Sequence, residues 1–434
     1  MARVVVVGGG YGGLASAARL AKLGHEVTVL EGADRVGGAV GHVERDGYRW
    51  DAGPSHTLLP AVLRDLFRKS GRPLERELDL VPVQPVRRHV FEDETSIDLP
   101  GGSRGDQMAA FDALGPGLGA QWSAYVDTFG DDWEALRRDY LERPFSPDHA
   151  GAQAKALLAT RMTLGKLLQR SLADDRLREV AGHAAVMEGH DLRNVPAWVG
   201  MWTYVEQNFG AWTVPGGLGS LAETLTGRLR TRGVTVHTGT PVLDLALSGG
   251  RVVGVHTPQG DVDADVVVVA VDPRRLPALA RHVERTTPAM PPVICHVGLR
   301  GPVPDLPHET VLHGDPLLVV RTGGRAPEGA HAWTVLARGR IAEDVMTAVQ
   351  RAGLRVRDQV EVRVDRSPLD LVRAWGGSPY GVLWQGRATV RRRLGPRTPV
   401  PGVYLAGAHA TPGAGLPSVG LSASLVAQVV GPAT

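Results

Sequence analysis

Cysteine is almost absent from this chain of 434 residues, where it occurs once, at position 295. A single cysteine excludes an intrachain disulfide and a cage of thiolate metal ligands, and it favours a reducing compartment such as the cytoplasm. Cys295 lies in the apolar run Val293–Val297, which is typical of a buried strand. We therefore expect this residue to pack as a small apolar side chain.

Long apolar runs and an excess of one charge are also missing. The longest obvious apolar run, Val266–Val271, is far shorter than the roughly 18 residues that span a bilayer. The formal net charge is +2, and basic residues are interspersed with acidic ones, which argues against a nucleic-acid partner. No secretory signal precedes the predicted strand that begins at Arg3. We expect a cytoplasmic protein without a transmembrane segment, with peripheral membrane contact left open.

The length and composition are those of a globular protein with a large core. Apolar residues make up 43% and charged residues 22% of the chain, which excludes a disordered or fibrous class. A chain of 434 residues exceeds the size at which single cores stop growing. Two domains of mixed α/β type are therefore expected.

A glycine-rich turn near the N-terminus lies between a predicted strand and a predicted helix. The run Arg3–Val7 predicts a strand, Leu14–Leu23 has helical apolar spacing, and Glu26–Leu30 predicts a second strand. The turn carries the pattern Gly-x-Gly-x-x-Gly from Gly8 to Gly13. Residues without Cβ permit a tight turn and the close approach of a phosphate. The pyrophosphate of a dinucleotide would then lie at the helix N-terminus.

An acidic residue follows the second predicted strand. Glu31 stands where a carboxylate accepts hydrogen bonds from the ribose hydroxyls of a dinucleotide. Arg35 and the glycine pair Gly37 and Gly38 come next, and they can approach the pyrophosphate or a flavin. At this point the chain resembles the flavin-dependent amine oxidases and phytoene desaturases, in which a glutamate followed by a glycine pair extends the fingerprint. The resemblance implies FAD as the cofactor.

Further segments resemble the same family. They are Asp51–Pro54, Val214–Gly217 ahead of a predicted helix, and Thr240–Val242, which in that family touches the adenine. The segments most similar to the bacterial phytoene desaturase branch are Tyr204–Gly217, Ala264–Pro273 and Pro401–Gly420. The last one resembles the C-terminal signature, in which a strand delivers a glycine-proline loop to the flavin. A helix there would point its positive end at the flavin pyrimidine.

The resemblance implies an α/β fold with two domains. One is a Rossmann-like FAD-binding domain of the GDI-like flavoprotein fold, predicted over residues 1–75, 213–285 and 385–434. The other is a discontinuous substrate domain of antiparallel sheet plus helices, predicted over residues 76–212 and 286–384, with a helical insertion between Gln107 and Phe209. The residues implied to bind FAD are Gly8, Gly10, Tyr11, Gly12, Gly13, Glu31, Arg35, Gly37, Gly38, Ala39, Gly53, Pro54, Ser55, Val242, Gly407, Ala408, Gly415, Leu416, Pro417 and Val419.

Candidate reacting groups follow from the family's chemistry, in which flavin N5 accepts a hydride from carbon and the protein orients the substrate, excludes water and removes a proton. His56 follows the Gly-Pro turn and can serve as the base, or it is a turn histidine bonded to backbone. Glu206 can act as a buried acid or base, or as a structural hydrogen-bond partner. His409 can stabilise reduced flavin when protonated, or it is a loop histidine exposed to water.

Aromatic residues predict an apolar substrate tunnel, with core packing as the alternative. The candidates are Trp202, Trp212, Trp375 and Tyr380. No metal site is predicted, since the histidines do not occur with carboxylates or cysteine at a ligand spacing. His183 and His190 near Glu188 come nearest to one.

The sequence thus predicts an FAD-dependent oxidoreductase of the phytoene desaturase type. Its substrate would be an apolar polyene, a terpenoid or a natural-product intermediate, with oxygen, a quinone or another molecule as electron acceptor. A flavin amine oxidase is one alternative, although the lysine that such enzymes place near N5 is missing because no lysine follows Lys166. A flavin-dependent isomerase or cyclase and a flavin-free escort protein, like the Rab GDP-dissociation inhibitors, are the others.

Overall fold

The computed structural model describes residues 1–433. The strands are β1 (Arg3–Val7), β2 (Glu26–Leu30), β3 (His42–Arg45), β4 (Tyr48–Asp51), β5 (Val81–Val83), β6 (Arg87–Val90), β7 (Ser96–Leu99), β8 (Ala211–Thr213), β9 (Thr235–His237), β10 (Asp244–Ser248), β11 (Arg251–Thr257), β12 (Gly260–Asp263), β13 (Val266–Val269), β14 (Val293–Arg300), β15 (Glu309–Leu312), β16 (Leu317–Arg321), β17 (Ala330–Arg338), β18 (Val360–Arg366) and β19 (Val403–Leu405).

The α-helices alternate with these strands. They are α1 (Tyr11–Lys22), α2 (Pro60–Ser70), α3 (Arg104–Leu114), α4 (Leu118–Asp127), α5 (Gly130–Leu136), α6 (Ala152–Leu158), α7 (Leu164–Ser171), α8 (Asp175–Met187), α9 (Met201–Phe209), α10 (Ser220–Thr231), α11 (Pro277–Val283), α12 (Val345–Arg351), α13 (Pro368–Ala374), α14 (Ala388–Arg392) and α15 (Leu416–Val430). Not one of these helices combines the length and the apolar character that a membrane crossing requires.

A five-stranded parallel sheet carries the N-terminal glycine turn. Its strand order is β19-β13-β1-β2-β9, and β1 pairs in parallel with both β2 and β13. Helices α1, α10 and α15 pack on one face, and the three-stranded sheet β10-β11-β12 covers the other. With both faces covered, the central strands are runs of valine instead of alternating patterns. The predicted βαβ unit is confirmed by this arrangement.

A second, seven-stranded sheet has the order β18-β14-β17-β16-β15-β6-β7. Its pairs are antiparallel except β6 and β15, which run parallel, with Val311 beside His89. The predicted antiparallel sheet is confirmed for the strands β14 to β18, which pair with one another only in antiparallel fashion, and the one parallel pair joins β15 to β6. Two of its strands come from far earlier in the chain, and long-range pairing of this kind leaves no local sequence pattern. Cys295 is fully buried in β14, as predicted.

Helices α3 to α9 form the predicted helical insertion around an aromatic core that includes Phe111, Trp122 and Tyr125. Ser103 and Asp174 cap α3 and α8 by accepting hydrogen bonds from backbone amides, which fixes where these helices begin. The strands of the five-stranded sheet fall within the segments predicted for the FAD-binding domain, and those of the seven-stranded sheet fall within the other segments. The domain bounds themselves stay a prediction.

Candidate active site

A cavity of about 740 Å³ extends from the glycine turn after β1 to the helical insertion. Its walls come from both sheets, from α8 and α9, and from the loop and helix that follow β19. A cavity of this size and depth is of the kind that holds a cofactor or small molecule in proteins.

The N-terminus of α1 opens into this cavity without a cap. Gly10 is the N-cap residue, no side chain accepts from the first-turn amides, and no acidic residue lies in that turn. A Cβ on Gly10 would meet nothing within 4 Å, whereas a Cβ on Gly13 would lie 2.0 Å from the carbonyl oxygen of Gly8. Gly13 therefore permits the close approach of helix and strand, and Gly10 leaves room for a ligand. Free amides at a positive helix end favour an anion such as a pyrophosphate.

Glu31 holds the adjacent loop in shape. Its Oε2 accepts from the amide of Gly9 at 2.5 Å, and its Oε1 accepts from the amide of Ala33 at 2.8 Å. The carboxylate still lines the cavity, so its remaining lone pairs are available to ribose hydroxyls. Gly37 has a φ of 121° and donates its amide to the carbonyl of Gly9 at 2.8 Å. Arg35 is exposed at the cavity wall.

A second uncapped helix N-terminus faces the same cavity. Gly415, with a φ of 90°, is the N-cap of α15, and no side chain caps that helix. The loop before it touches the first glycine turn, since a Cβ on Gly12 would lie 2.8 Å from the Cα of Gly407. The amide of Gly407 donates to the hydroxyl of Ser422 at 2.8 Å and is thereby fixed. Two positive helix ends thus converge on one cavity.

The structure brings together almost all of the residues predicted to bind FAD. Gly13 and Gly37 alone among them do not line the cavity, and both instead shape the loops that do. Buried polar atoms without partners within residues 1–433 also lie along its wall, namely the hydroxyl of Tyr11 and both ring nitrogens of His409. Uncapped amides, a ribose-directed carboxylate and orphaned polar atoms are the features that a bound dinucleotide would satisfy. The residues present therefore fit FAD.

His409 is buried, so the alternative of a water-exposed loop histidine was wrong. Its Nδ1 lies 3.7 Å from a carboxylate oxygen of Asp272. Burial lowers the pKa of His409, although Asp272 opposes the shift. The ring is therefore neutral near pH 7 in this structure, instead of the protonated ring expected to stabilise reduced flavin.

Glu206 belongs to a buried ion-pair network. Both of its carboxylate oxygens accept from Arg87, at 2.9 and 2.7 Å. Arg87 also donates to Glu309 at 3.1 Å, and Arg321 donates to the other oxygen of Glu309 at 2.8 Å. Burial disfavours the charge of Glu309, but the surrounding groups, Arg321 first among them, together outweigh burial and hold the pKa of this carboxyl well below its usual range. The bidentate contact favours the structural role for Glu206 over an acid or base.

His56 lines the cavity next to this network. Burial lowers its pKa to about 3, an effect that the charge of Glu309 opposes. Its Nδ1 lies 3.4 Å from the hydroxyl of Ser55, and its ring centroid is 6.3 Å from that of His308. A pKa of about 3 leaves the imidazole neutral at pH 7 but makes it a weak base, since general-base catalysis is most efficient when the pKa lies near the operating pH. The low pKa therefore does not favour His56 as the base, and that role stays a prediction that rests on its place in the cavity wall.

Three of the four predicted substrate aromatics line the cavity, namely Trp202, Trp375 and Tyr380. Trp212 does not, and this expectation was wrong. It lies in β8, which pairs with β5, and its indole nitrogen donates to the carbonyl of Phe209 at 2.7 Å while Arg64 lies over its ring. Local spacing could not show which side of this short strand would face the substrate.

Several lining residues were missed by the sequence analysis. The apolar end of the cavity is lined by Trp122, Tyr140, Trp198 and Trp384. Trp198 and Trp384 pack edge to face with centroids 5.4 Å apart. These residues come from separate helices and a late loop, so no motif could have joined them. Within residues 1–433 no group of three or more histidine, cysteine, aspartate or glutamate side chains is arranged to hold a metal. His183 instead bonds the carbonyl of Val180.

Comparison with known proteins gives consistent matches. The family described as flavin containing amine oxidoreductase matches residues 11–431. The chain is 30% identical to a hydroxyneurosporene desaturase of Cereibacter sphaeroides, covering 99% of this chain and 97% of that one. It is 27% identical to a zeta-carotene-forming phytoene desaturase of Myxococcus xanthus, covering 98% and 93%. A solved oxidoreductase of Methanosarcina mazei has a TM-score of 0.67 at 18% identity, covering 98% of this chain and 100% of that one. These matches confirm the predicted fold and the predicted resemblance.

Proposed function

The chain belongs to the flavin-containing amine oxidoreductases, with FAD as its cofactor, and we propose that it removes hydrogen across a carbon-carbon bond of an apolar polyene or terpenoid. One observation carries this proposal. A single cavity joins the two uncapped helix ends to a chamber walled by tryptophan and tyrosine. A cofactor at one end would therefore meet an apolar molecule at the other.

The names of the relatives support the same substrate class. The two relatives from Cereibacter sphaeroides and Myxococcus xanthus are described as desaturases of carotenoids, and this chain covers nearly all of each. The acids buried beside the chamber argue against an amine as substrate. Glu206 and Glu309 are both paired with arginine, so neither is free to bind an ammonium group, and the remaining acid at this end, Glu188, is partly exposed and lies near His190.

The reaction divides between the cofactor and this chain. FAD, when bound, supplies the hydride acceptor at its N5 atom. The first-turn amides of α1 would hold the pyrophosphate, and Glu31 would hold the ribose. The aromatic walls orient the substrate and exclude water from it. His56 lines the cavity and is the candidate to accept the proton at a ring nitrogen, although its low pKa limits its strength as a base.

The first test is the visible spectrum of the purified protein, with identification of the nucleotide released on denaturation. Oxidised-flavin bands and released FAD are expected. Anaerobic mixing with phytoene, or with a C20 polyene, should then bleach the flavin and yield a product two hydrogens lighter. A product of unchanged mass, formed without any electron acceptor, would replace this proposal by an isomerase. A colourless protein that FAD cannot reconstitute would point to an escort protein.

The candidate base is tested by His56→Gln, with His308→Gln as the control. The His308 ring neighbours His56 but lies outside the cavity lining. The His56 variant should slow flavin bleaching by roughly 100-fold, the lower end of what a general base contributes. The control should slow it much less. Equal effects of the two changes would assign His56 a packing role only.

A further inference from the structure

Four arginine side chains are almost fully buried in this molecule: Arg19, Arg87, Arg228 and Arg393. Three of them contact carboxylates. Arg19 pairs with Asp65, Arg87 pairs with Glu206 and Glu309, and Arg228 pairs with Glu77. Arg393, by contrast, has no carboxylate oxygen within 4 Å anywhere in residues 1–433. Among the four buried arginines of the described residues, Arg393 is therefore the one without a carboxylate partner.

The surroundings of Arg393 compensate its charge only in part. Its Nη1 donates to the carbonyl oxygen of Pro412 at 2.6 Å, and its guanidinium carbon lies 4.7 Å from the ring centroid of Trp384. Its Nε is buried and has no acceptor. Burial lowers the pKa of Arg393, with Tyr140 and the more distant carboxylate of Glu188 opposing the shift. A carbonyl and an aromatic face stabilise a buried cation only in part.

The position of Arg393 indicates where its counterion would come from. The side chain lines the cavity at the same end as Tyr140, Trp198 and Trp384, which form the apolar chamber. A buried ion is costly unless it is paired and hydrogen-bonded. Guanidinium groups match carboxylates in geometry and hold them with charge-assisted hydrogen bonds. Glu188 also lines this cavity and acts on Arg393 through its charge, but it forms no ion pair with Arg393, so a ligand that enters the chamber could supply the missing carboxylate.

We propose that Arg393 binds a carboxylate on the substrate, so that the substrate is an apolar polyene or terpenoid acid instead of a plain hydrocarbon. This inference rests on the function proposed above, because it places the substrate in the aromatic chamber. The chamber walls bind the apolar chain, and Arg393 fixes one end of it. The distance between that end and the cofactor then selects which carbon-carbon bond is oxidised.

The test compares all-trans-retinoic acid with its methyl ester as ligands of the FAD-loaded protein. The two probes differ only in the charge of the headgroup. Binding is followed by quenching of tryptophan fluorescence, which needs no turnover. The acid should bind the wild-type protein at least about tenfold more tightly than the ester, because hydrogen bonds to charged groups are among the stronger ones. Equal affinities in the wild type would overturn the proposal without any variant.

Three variants sharpen the result. Arg393→Met should abolish the preference for the acid, whereas Arg373→Met should keep it, since Arg373 also lines the cavity but is exposed to solvent. Arg393→Lys keeps the charge and should retain part of the preference. If Arg393→Met instead lowered FAD retention and left the acid preference intact, the partner of Arg393 would be the flavin, and the proposal would fail.

The outcomes separate this inference from the proposed function. Tight, Arg393-dependent binding of the acid without any flavin bleaching by polyenes would contradict the desaturase proposal alone. Bleaching by a hydrocarbon polyene, together with equal binding of acid and ester, would contradict the carboxylate proposal alone.

Discussion

The two large sheets use their interiors differently. The buried side chains of the five-stranded sheet are mostly valines, in strands such as β1 and β13. The candidate ligand site beside this sheet is formed by backbone amides at helix N-termini. The seven-stranded sheet buries ionisable side chains, among them Arg87, His296 and Glu309. One half of the cavity is therefore built from main chain and the other half from side chains. Main-chain sites tolerate sequence change outside their glycines, whereas paired side chains depend on each partner.

The largest expected effect comes from breaking the buried network of the seven-stranded sheet with Arg87→Met. This change leaves Glu206 buried without its bidentate partner, while Glu309 keeps only Arg321. Removing one member of a buried ion pair typically costs about 3 to 5 kcal/mol. Denaturant unfolding followed by circular dichroism should show that loss in the free energy of unfolding.

The matched control is a buried arginine of α10, a helix that packs on the five-stranded sheet. Arg228 is equally buried but pairs with Glu77, whose side chain is 21% exposed and can turn to water. Arg228→Met should therefore cost clearly less than Arg87→Met. Adding Glu206→Gln to Arg87→Met should restore part of the lost stability, because a neutral amide is cheaper to bury than a lone carboxylate. If Arg87→Met and Arg228→Met lowered the free energy of unfolding equally, the seven-stranded sheet would not depend more on its buried ion pairs than the five-stranded sheet does.

The same difference explains what the sequence could predict. Gly8, Gly10, Gly13 and Glu31 lie close together in the chain, and each has a local reason to be there, so the sequence could name most residues that line this end of the cavity, while their contacts with FAD stay a prediction. The ion network joins β6, α9, β15 and β16, which are distant in sequence and meet only through sheet pairing. Spacing therefore predicted neither that network nor the isolation of Arg393. Trp212 was misassigned because its short strand gives no signal of which face is buried.

A smaller effect is expected from Gly13→Ala, which tests whether the main-chain half depends on its glycines. The new Cβ would meet the carbonyl oxygen of Gly8 at 2.0 Å, and that atom is backbone and cannot rotate away. Overpacking of this kind typically costs about 1 to 3 kcal/mol. The amides at the start of α1 should also shift, so FAD retention through gel filtration should fall sharply.

Gly227→Ala is the control for that change. Gly227 lies inside α10 of the same region, and a Cβ there would meet nothing within 4 Å. Alanine in place of a helical glycine stabilises by roughly 0.5 to 1 kcal/mol, so this variant should be slightly more stable and keep its FAD. Gly13→Ala that retained FAD as well as Gly227→Ala would mean that the glycine turn adapts, and that the main-chain account of this half is wrong.

The smallest effect concerns pH and the seven-stranded sheet alone. Burial lowers the pKa of His296 to about 4, and Arg366 adds to the shift. Near pH 6 the unfolded chain therefore binds a proton at this residue that the folded chain does not, so folding stability falls as pH falls from about 6.5 towards 4.

His296→Gln should remove about 1 kcal/mol of that dependence between about pH 6.5 and 5.5. His237→Gln, at an exposed position in β9 of the five-stranded sheet, is the matched control. Since Thr334 bonds His296 and both changes can shift stability at every pH, the slope and not the absolute value decides. An unaltered slope in the His296 variant would assign the acid sensitivity to other buried groups of that sheet.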